Sequence, residues 1–349
     1  MSYAPEYLFD GAPAPGETLQ VVPGVWWIRM PLPFKLNHIN LWLLADGDGW
    51  TLVDTGVSNA EIKACWASIE KKFVSAERPI KRLICTHYHP DHMGLAGWLC
   101  DRHDIELTTT IEEWLSARLY FLETEQSKAK QMLPFFKLAG FSDEQMKLVV
   151  PRTTQYCSVA GMPPDSFNRV KHRDKIMIDG VDWEVMITEG HSVEQICLFC
   201  AEKNVLISGD QILPKITPNV SLQPQEPEGD PLRLFLESLE QFRRLPIDTL
   251  VLPSHDWPFR GLRNRVDGLL AHHDERLQVT LAACKQPASG IDVLKKMFPR
   301  KLDDHQIFFA IGEVLAHLHR LMHEGKIKRT LSIDGVYLYE DSELSNEAA

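Results

Sequence analysis

Runs of apolar residues, alternating with polar ones or continuous, open the chain. Residues 25–30, 40–44 and 50–53 read as three strands of a meander, with Asp46-Gly47-Asp48-Gly49 as the turn before the third. The period then changes: residues 58–73 place Ile62, Cys65, Trp66 and Ile69 on one helical face. Residues 80–85 return to a strand, and 91–100 read as a helix. Between 101 and 171 the pattern is mainly helical. Residues 111–139 carry Trp114, Leu115, Leu119, Phe121, Leu122, Phe135 and Phe136, and Pro134 is predicted to break or kink the end of that helix. A second helix over 142–150 starts at Ser142 with Gln145 three residues on, the spacing of a capping box. Strands follow at 183–188, 195–201, 205–208 and 249–252, and helices at 232–245 and 262–277. Strands interleaved with helices indicate an α/β fold. The pattern ends with helices over 291–298 and 304–325 and a hairpin, 326–331 with 335–339, around Ser332-Ile333-Asp334.

Composition adds bounds. At 349 residues the chain is long for one domain, which suggests a large domain over 1–277 and a small one over 278–349. A hydrophobic content of 44% is enough for a substantial core. No run approaches the length of a membrane span. Residues 1–24 lack the basic start and apolar stretch of a signal peptide. Seven cysteines show no framework, and Cys197 and Cys200, on a predicted strand, point to opposite faces. They read as core residues, and a reducing cytoplasm is the expected compartment. The net charge of −11 repels nucleic acid on average. Residues 278–349 hold nine Lys/Arg against ten Asp/Glu, so no basic face is evident, although Lys326, Lys328 and Arg329 cluster.

One stretch departs from any packing pattern. Thr86-His87-Tyr88-His89-Pro90-Asp91-His92 brings three imidazoles and a carboxylate into six residues. On a strand His87, His89 and Asp91 would share a face and His92 would point away. On a helix, residues two apart do not face each other. The four converge only if the backbone loops around a centre, and Pro90 interrupts regular structure there. Imidazole with carboxylate is a ligand set for zinc, with iron or manganese as alternatives.

The motif resembles the signature of the metallo-β-lactamase superfamily. Four further segments agree in order: Thr51 to Gly56 with Asp54, Glu189-Gly190-His191-Ser192 after a strand, Gly209-Asp210 after another, and His255 after a third. The resemblance covers about residues 20–275. It implies an αββα sandwich with a helical insertion at about 101–171. The last segment is similar to the winged-helix tail of the lactamase-beta-2-like branch. Carried over, His87, His89 and His191 would hold one divalent metal, Asp91, His92 and His255 a second, and Asp210 would bridge them. Asp91 would also orient the attacking hydroxide. Asp54, outside the family's ligand set, is expected behind it, fixing a histidine tautomer.

The resemblance implies a binuclear hydrolase acting through a metal-bridging hydroxide, with zinc the first expectation. A small-molecule thioester, ester or lactone is the expected substrate; an endoribonuclease or phosphodiesterase is the alternative. Superfamily lactonases carry a Tyr soon after the bridging Asp, where this chain has Gln211, Ile212, Leu213 and Pro214. Phe34 and His38, between the first two strands, and Phe135 and Phe136, in the insertion, are candidate substrate contacts. The alternative for the insertion is packing or dimerisation, and a homodimer stays open. His272 and His273, adjacent on a helix, diverge and are expected at the surface or behind the ligands.

Overall fold

The computed structural model describes residues 5–343. The last six positions of the expected C-terminal domain, 344–349, lie outside the described residues. The chain forms two compact units. The first takes Met1–Leu122, Tyr156–Pro218 and Gln241–Val266; the second takes Glu123–Gln155, Asn219–Glu240 and Asp267–Ala349. In this division the stretches 123–155 and 219–240 fall with the C-terminal part.

Two seven-stranded sheets build the first unit. In one, Thr18–Val22, Val25–Pro31, His38–Asp46 and Gly49–Val53 run antiparallel. Ile80–Ile84, Leu107–Thr109 and Phe167–Arg169 then add in parallel. The other orders Glu6–Tyr7, Phe259–Arg260, Leu250–Pro253, Val205–Gly209, Gln195–Cys200, Val181–Thr188 and Lys175–Ile178. Among the described residues, its one parallel pair is Val205–Gly209 with Leu250–Pro253.

The two-residue period of a strand decides which side chain goes where. Trp27, Trp42, Leu44, Val53 and Ile84 point inward and pack with Trp183, Val185, Ile196, Leu198, Ile207 and Leu252 of the facing sheet. Their neighbours Ile28, Leu41, Leu43, Leu52 and Leu83 point outward and pack under the helices Ala60–Phe73 and Ala96–His103. Both faces are buried, so these strands read as nearly continuous apolar runs. Trp66, fully buried on the first helix, shows the scale: truncation to Ala costs about 3–5 kcal/mol. On the second sheet the turn Gln241–Arg244 lies against Val181–Thr188, where Gln241 Nε2 donates to Ile187 O at 3.1 Å. The fold is the expected αββα sandwich. Cys197 and Cys200 are buried and unbridged, as the strand pattern implied.

The second unit has its own core, in which Phe136, Phe141, Leu222, Ile291, Val293, Phe308, Ile311 and Val314 meet. The helices Gly290–Met297 and Gln306–His323 precede the hairpin Ile327–Leu331/Tyr337–Asp341, and Ala288–Ser289 pairs with its second strand. The capping box at Ser142 and Gln145 is present.

One expectation for the insertion needs correction, and two of its residues can be placed. Pro134 does not end its helix: Glu125–Leu138 runs through it. Proline deletes one donor near the helix end, and the burial of Phe136 two residues later offsets that loss. The break comes earlier, where Thr124 caps the new helix and its Oγ1 accepts from Ser127 N–H at 3.2 Å. Phe135 and Phe136, candidates for a substrate pocket, take a packing role. Phe136 is buried against Phe141 and Phe308, both at 5.0 Å, and Phe135 stands edge-on to it at 5.3 Å.

Candidate metal centre

Strand ends deliver every ligand candidate. The strand Ile80–Ile84 leads into the loop of His87 and His89, and Pro90 opens the one-turn helix Pro90–Met93 that carries Asp91 and His92. Pro90 thus does more than interrupt structure: at a first helical position its missing N–H costs nothing. Val181–Thr188 is followed by His191, Val205–Gly209 by Asp210, and Leu250–Pro253 by His255. Gly209 has φ 53°, and a Cβ there would stand 3.0 Å from Gln195 Nε2. Glycine lets the strand turn Asp210 inward at that point.

The seven side chains offer ligand atoms in three overlapping groups: His87, His89 and His191; His87, His92 and Asp210; Asp91, His92 and His255. Asp210 stands between the rest. Its Oδ2 is 3.5 Å from His191 Nε2 and 3.4 Å from His255 Nε2, and its Oδ1 is 3.5 Å from His92 Nε2. Asp91 Oδ2 lies 3.5 Å from His255 Nε2 and 3.8 Å from His92 Nε2. Most of these separations exceed a good hydrogen bond. They match donors sharing an ion, since ligands about 2.1 Å from one centre stand roughly 3.4 Å apart in a tetrahedron. His92 Nε2 and Asp210 Oδ1 are buried without a hydrogen-bond partner. Orphaned atoms of this kind are costly unless something binds them. The donor set therefore fits divalent metal.

The groups behind the ligands fix which ring nitrogen faces the centre. Asp54 accepts from His92 Nδ1 at 2.8 Å and from Thr86 N–H at 2.7 Å, which leaves His92 Nε2 inward. Asp54 reaches this position with φ 63°, a conformation that Asp tolerates better than most residues. His255 Nδ1 donates to the carbonyl of His38 at 2.9 Å, so its Nε2 also faces inward.

Burial pushes the His87 and His89 imidazoles well below the ordinary histidine range, and neighbouring imidazoles push them further. Burial acts the same way on His92, but Asp91, Asp210 and Asp54 outweigh it and hold that ring well above the ordinary value. His255 is raised in the same manner: burial lowers it and Asp210 more than compensates. For Asp210 burial raises the carboxyl, yet His255 and His92 hold it well below the usual carboxylate range. The carboxylates thus draw positive charge to the Asp91–His92–His255 end, the charge a cation would supply.

Known proteins share this arrangement of sequence and fold. Residues 35–255 match the metallo-β-lactamase superfamily, and residues 277–342 match the metallo-β-lactamase-like C-terminal domain. The chain belongs to the metallo-β-lactamase superfamily. It is 41% identical to a β-lactamase domain protein of Burkholderia ambifaria, over 97% of each chain, with a TM-score of 0.87. A metallo-β-lactamase family protein of Thermus thermophilus is 27% identical over 92% of this chain and 100% of its own, with a TM-score of 0.78. "Probable metallo-hydrolase YqjP" of Bacillus subtilis is 24% identical over 86% of this chain and 92% of its own length. As a member of this superfamily with a His/Asp cluster in place, the chain is a metallo-hydrolase.

The structure brings the seven expected ligands together and sets Asp54 behind them. His38, a candidate substrate contact, is half-buried with its ring 6.2 Å from that of His255. Its Nε2 accepts from Asp256 N–H, its Nδ1 meets Asn37 Oδ1, and its carbonyl holds His255. Phe34 is half-buried against the core beneath the first sheet. His273, expected at the surface or behind the ligands, is buried in the second unit beside His317. One buried acid at the site escaped the sequence reading. Glu113 accepts from Tyr88 N–H at 2.8 Å, Ser192 Oγ at 2.9 Å and Glu194 N–H at 2.8 Å. Its donors lie 25 to 81 residues away and two are backbone groups, so no local motif announces it.

Proposed function

We propose that the chain is a binuclear metal-dependent hydrolase that cleaves a small-molecule thioester, ester or lactone. The observation that carries this reading is the convergence of seven ligand atoms with Asp210 between the two triads, His87/His89/His191 and Asp91/His92/His255. Two divalent ions, zinc first and iron or manganese otherwise, would supply Lewis acidity toward a carbonyl oxygen and a water pKa lowered to about 7.

The residues divide the remaining work. His92 and His255 stay neutral donors when a cation is bound, because their Nδ1 protons are committed to Asp54 and the His38 carbonyl. Asp91 is the proton acceptor. Ionised, it only accepts, so it orients a water and takes its proton. Its side chain is 17% exposed, against 10% for Asp210, 3% for His255 and 0% for His92, so of these four it is the most open to solvent.

Acyl rather than nucleic-acid substrates are favoured by charge. Phosphate backbones need several unpaired cations. The cluster on the hairpin does not offer them, since Lys326 faces Glu324, Lys328 faces Glu340 and Arg329 faces Glu228, at 2.8, 3.5 and 2.8 Å. The C-terminal helices and hairpin follow the order of a winged helix, and we read them as a dimerisation or supporting element. The test is a competition: kcat/KM of the metal-loaded protein on a thioester, ester and lactone panel and on single-stranded RNA at low salt. Turnover confined to the acyl panel is expected. RNA cleavage abolished by Asp210→Ala, with no acyl turnover, would reverse the choice.

A further inference from the structure

Glu113 belongs to none of the ligand motifs, yet it holds two of them. It sits in the first turn of the helix Ile111–Leu122 and is fully buried. Oε2 accepts from the N–H of Tyr88, the residue between His87 and His89, and from the hydroxyl of Ser192, the residue after His191. Oε1 accepts from Glu194 N–H, on the same loop as Ser192. Every donor is one to three residues from a ligand of the His87/His89/His191 triad.

A buried carboxylate without a cation is expensive, and simple packing would be served better by an apolar residue. Burial drives this carboxyl up to about 7 against the lowering pull of its three donors. The position in the first helical turn offsets part of that cost. Three donors converging on two oxygens need an acceptor with no hydrogens of its own, which an ionised acid provides and an amide does not. The same helix grips Tyr88 a second time. Two turns on, Tyr120 stacks on the Tyr88 ring at 5.2 Å and 13°, while Tyr156 donates its hydroxyl to Tyr88 O at 2.8 Å. The residue between two ligands is thus held at its N–H, its carbonyl and its ring.

We propose that Glu113 is a positioning residue: it fastens the His87/His89 loop to the His191 loop and so sets the geometry of that end of the metal centre. The inference rests on reading the cluster as a metal centre. Removal should loosen one triad more than the other, since His92 and His255 are braced by Asp54 and the His38 carbonyl instead.

The experiment uses full-length Glu113→Gln and Ser192→Ala beside the unsubstituted protein. Far-UV circular dichroism follows the fold, and Zn²⁺ and Co²⁺ affinities are measured by chelator competition. For Glu113→Gln, one of two metal equivalents should weaken by about 10- to 100-fold, with a changed Co²⁺ absorption spectrum, while the other weakens less. Ser192→Ala, which removes one donor, should shift the same equivalent by less. If Glu113→Gln does not fold, Ser192→Ala decides alone. Folded variants with two unchanged affinities and an unchanged spectrum would overturn the inference and leave the metal-centre reading standing. An unsubstituted protein that binds no metal would overturn both.

Discussion

In the first unit, His92 and His255 each give Nδ1 to a fixed acceptor and turn Nε2 toward Asp210. In the second unit, His273 and His317 turn toward each other at 3.2 Å, and His317 Nδ1 donates to Glu313 O. His319, also buried there, meets Gly229 O at 3.1 Å. Both regions bury imidazole, but only the first surrounds it with carboxylates. Among the described residues, the groups able to hold a metal all lie in the first unit. Histidine density therefore does not mark a metal centre. Convergence with acids does.

The most disruptive way to probe this difference is Asp210→Ala. Hydrolytic turnover should fall by more than the about 10- to 100-fold typical of losing a group behind a ligand, because Asp210 faces both triads. Steady-state kinetics with elemental analysis checks it, and near-native turnover would refute the ligand assignment. Phe136→Ala probes the second unit. It should destabilise by about 3–5 kcal/mol, read in a denaturant melt, with metal content unchanged. An altered substrate profile at native stability would return Phe136 to a pocket role.

Asp54→Asn sharpens the contrast from the acceptor side. Asn cannot accept from Thr86 and His92 with both of its terminal atoms, so metal affinity should fall by about 10- to 100-fold in chelator competition. The smallest effect is on acid stability. Burial holds His273 down to about 2 and His317 to about 4, below the ~6.5 of an unfolded chain. The unfolded state therefore takes up protons first. The contribution of these two histidines should be level above about pH 6.5 and fall below it, by roughly 1 kcal/mol per pH unit each, opposed by the buried Glu113 and Glu313 carboxyls, both pushed up to about 7. The fall should persist to about pH 4 for His317. Melts of metal-free protein between pH 7.5 and 4.5, with and without His317→Leu, should isolate it: the variant should lose less stability, or gain more, toward low pH than the unsubstituted protein.

What could be read in advance follows from the range of the interactions. The ligands were legible because three imidazoles and a carboxylate within six residues have no packing explanation, and because the other ligands follow apolar strand runs. Asp54 was expected behind them because the family's ligand set has no place for it, and in the structure it ends the strand beside the one that leads to His87. Glu113 was hidden: its partners are remote, and two of its three donors are backbone N–H groups, which every residue but proline carries. The carbonyl of His38 was hidden for the same reason. The apolar face of residues 125–138 was visible, but pattern alone does not say what buries it. The answer, Phe308, lies 172 residues beyond Phe136.

The central claim is that the seven side chains form one two-metal centre in a hydrolase. It is tested most directly by titrating metal-free protein with Zn²⁺ while following both bound metal and thioester turnover. The account predicts saturation at about two equivalents per chain, with turnover rising as the second site fills. Saturation at one equivalent or none, or full turnover without added metal, would contradict it.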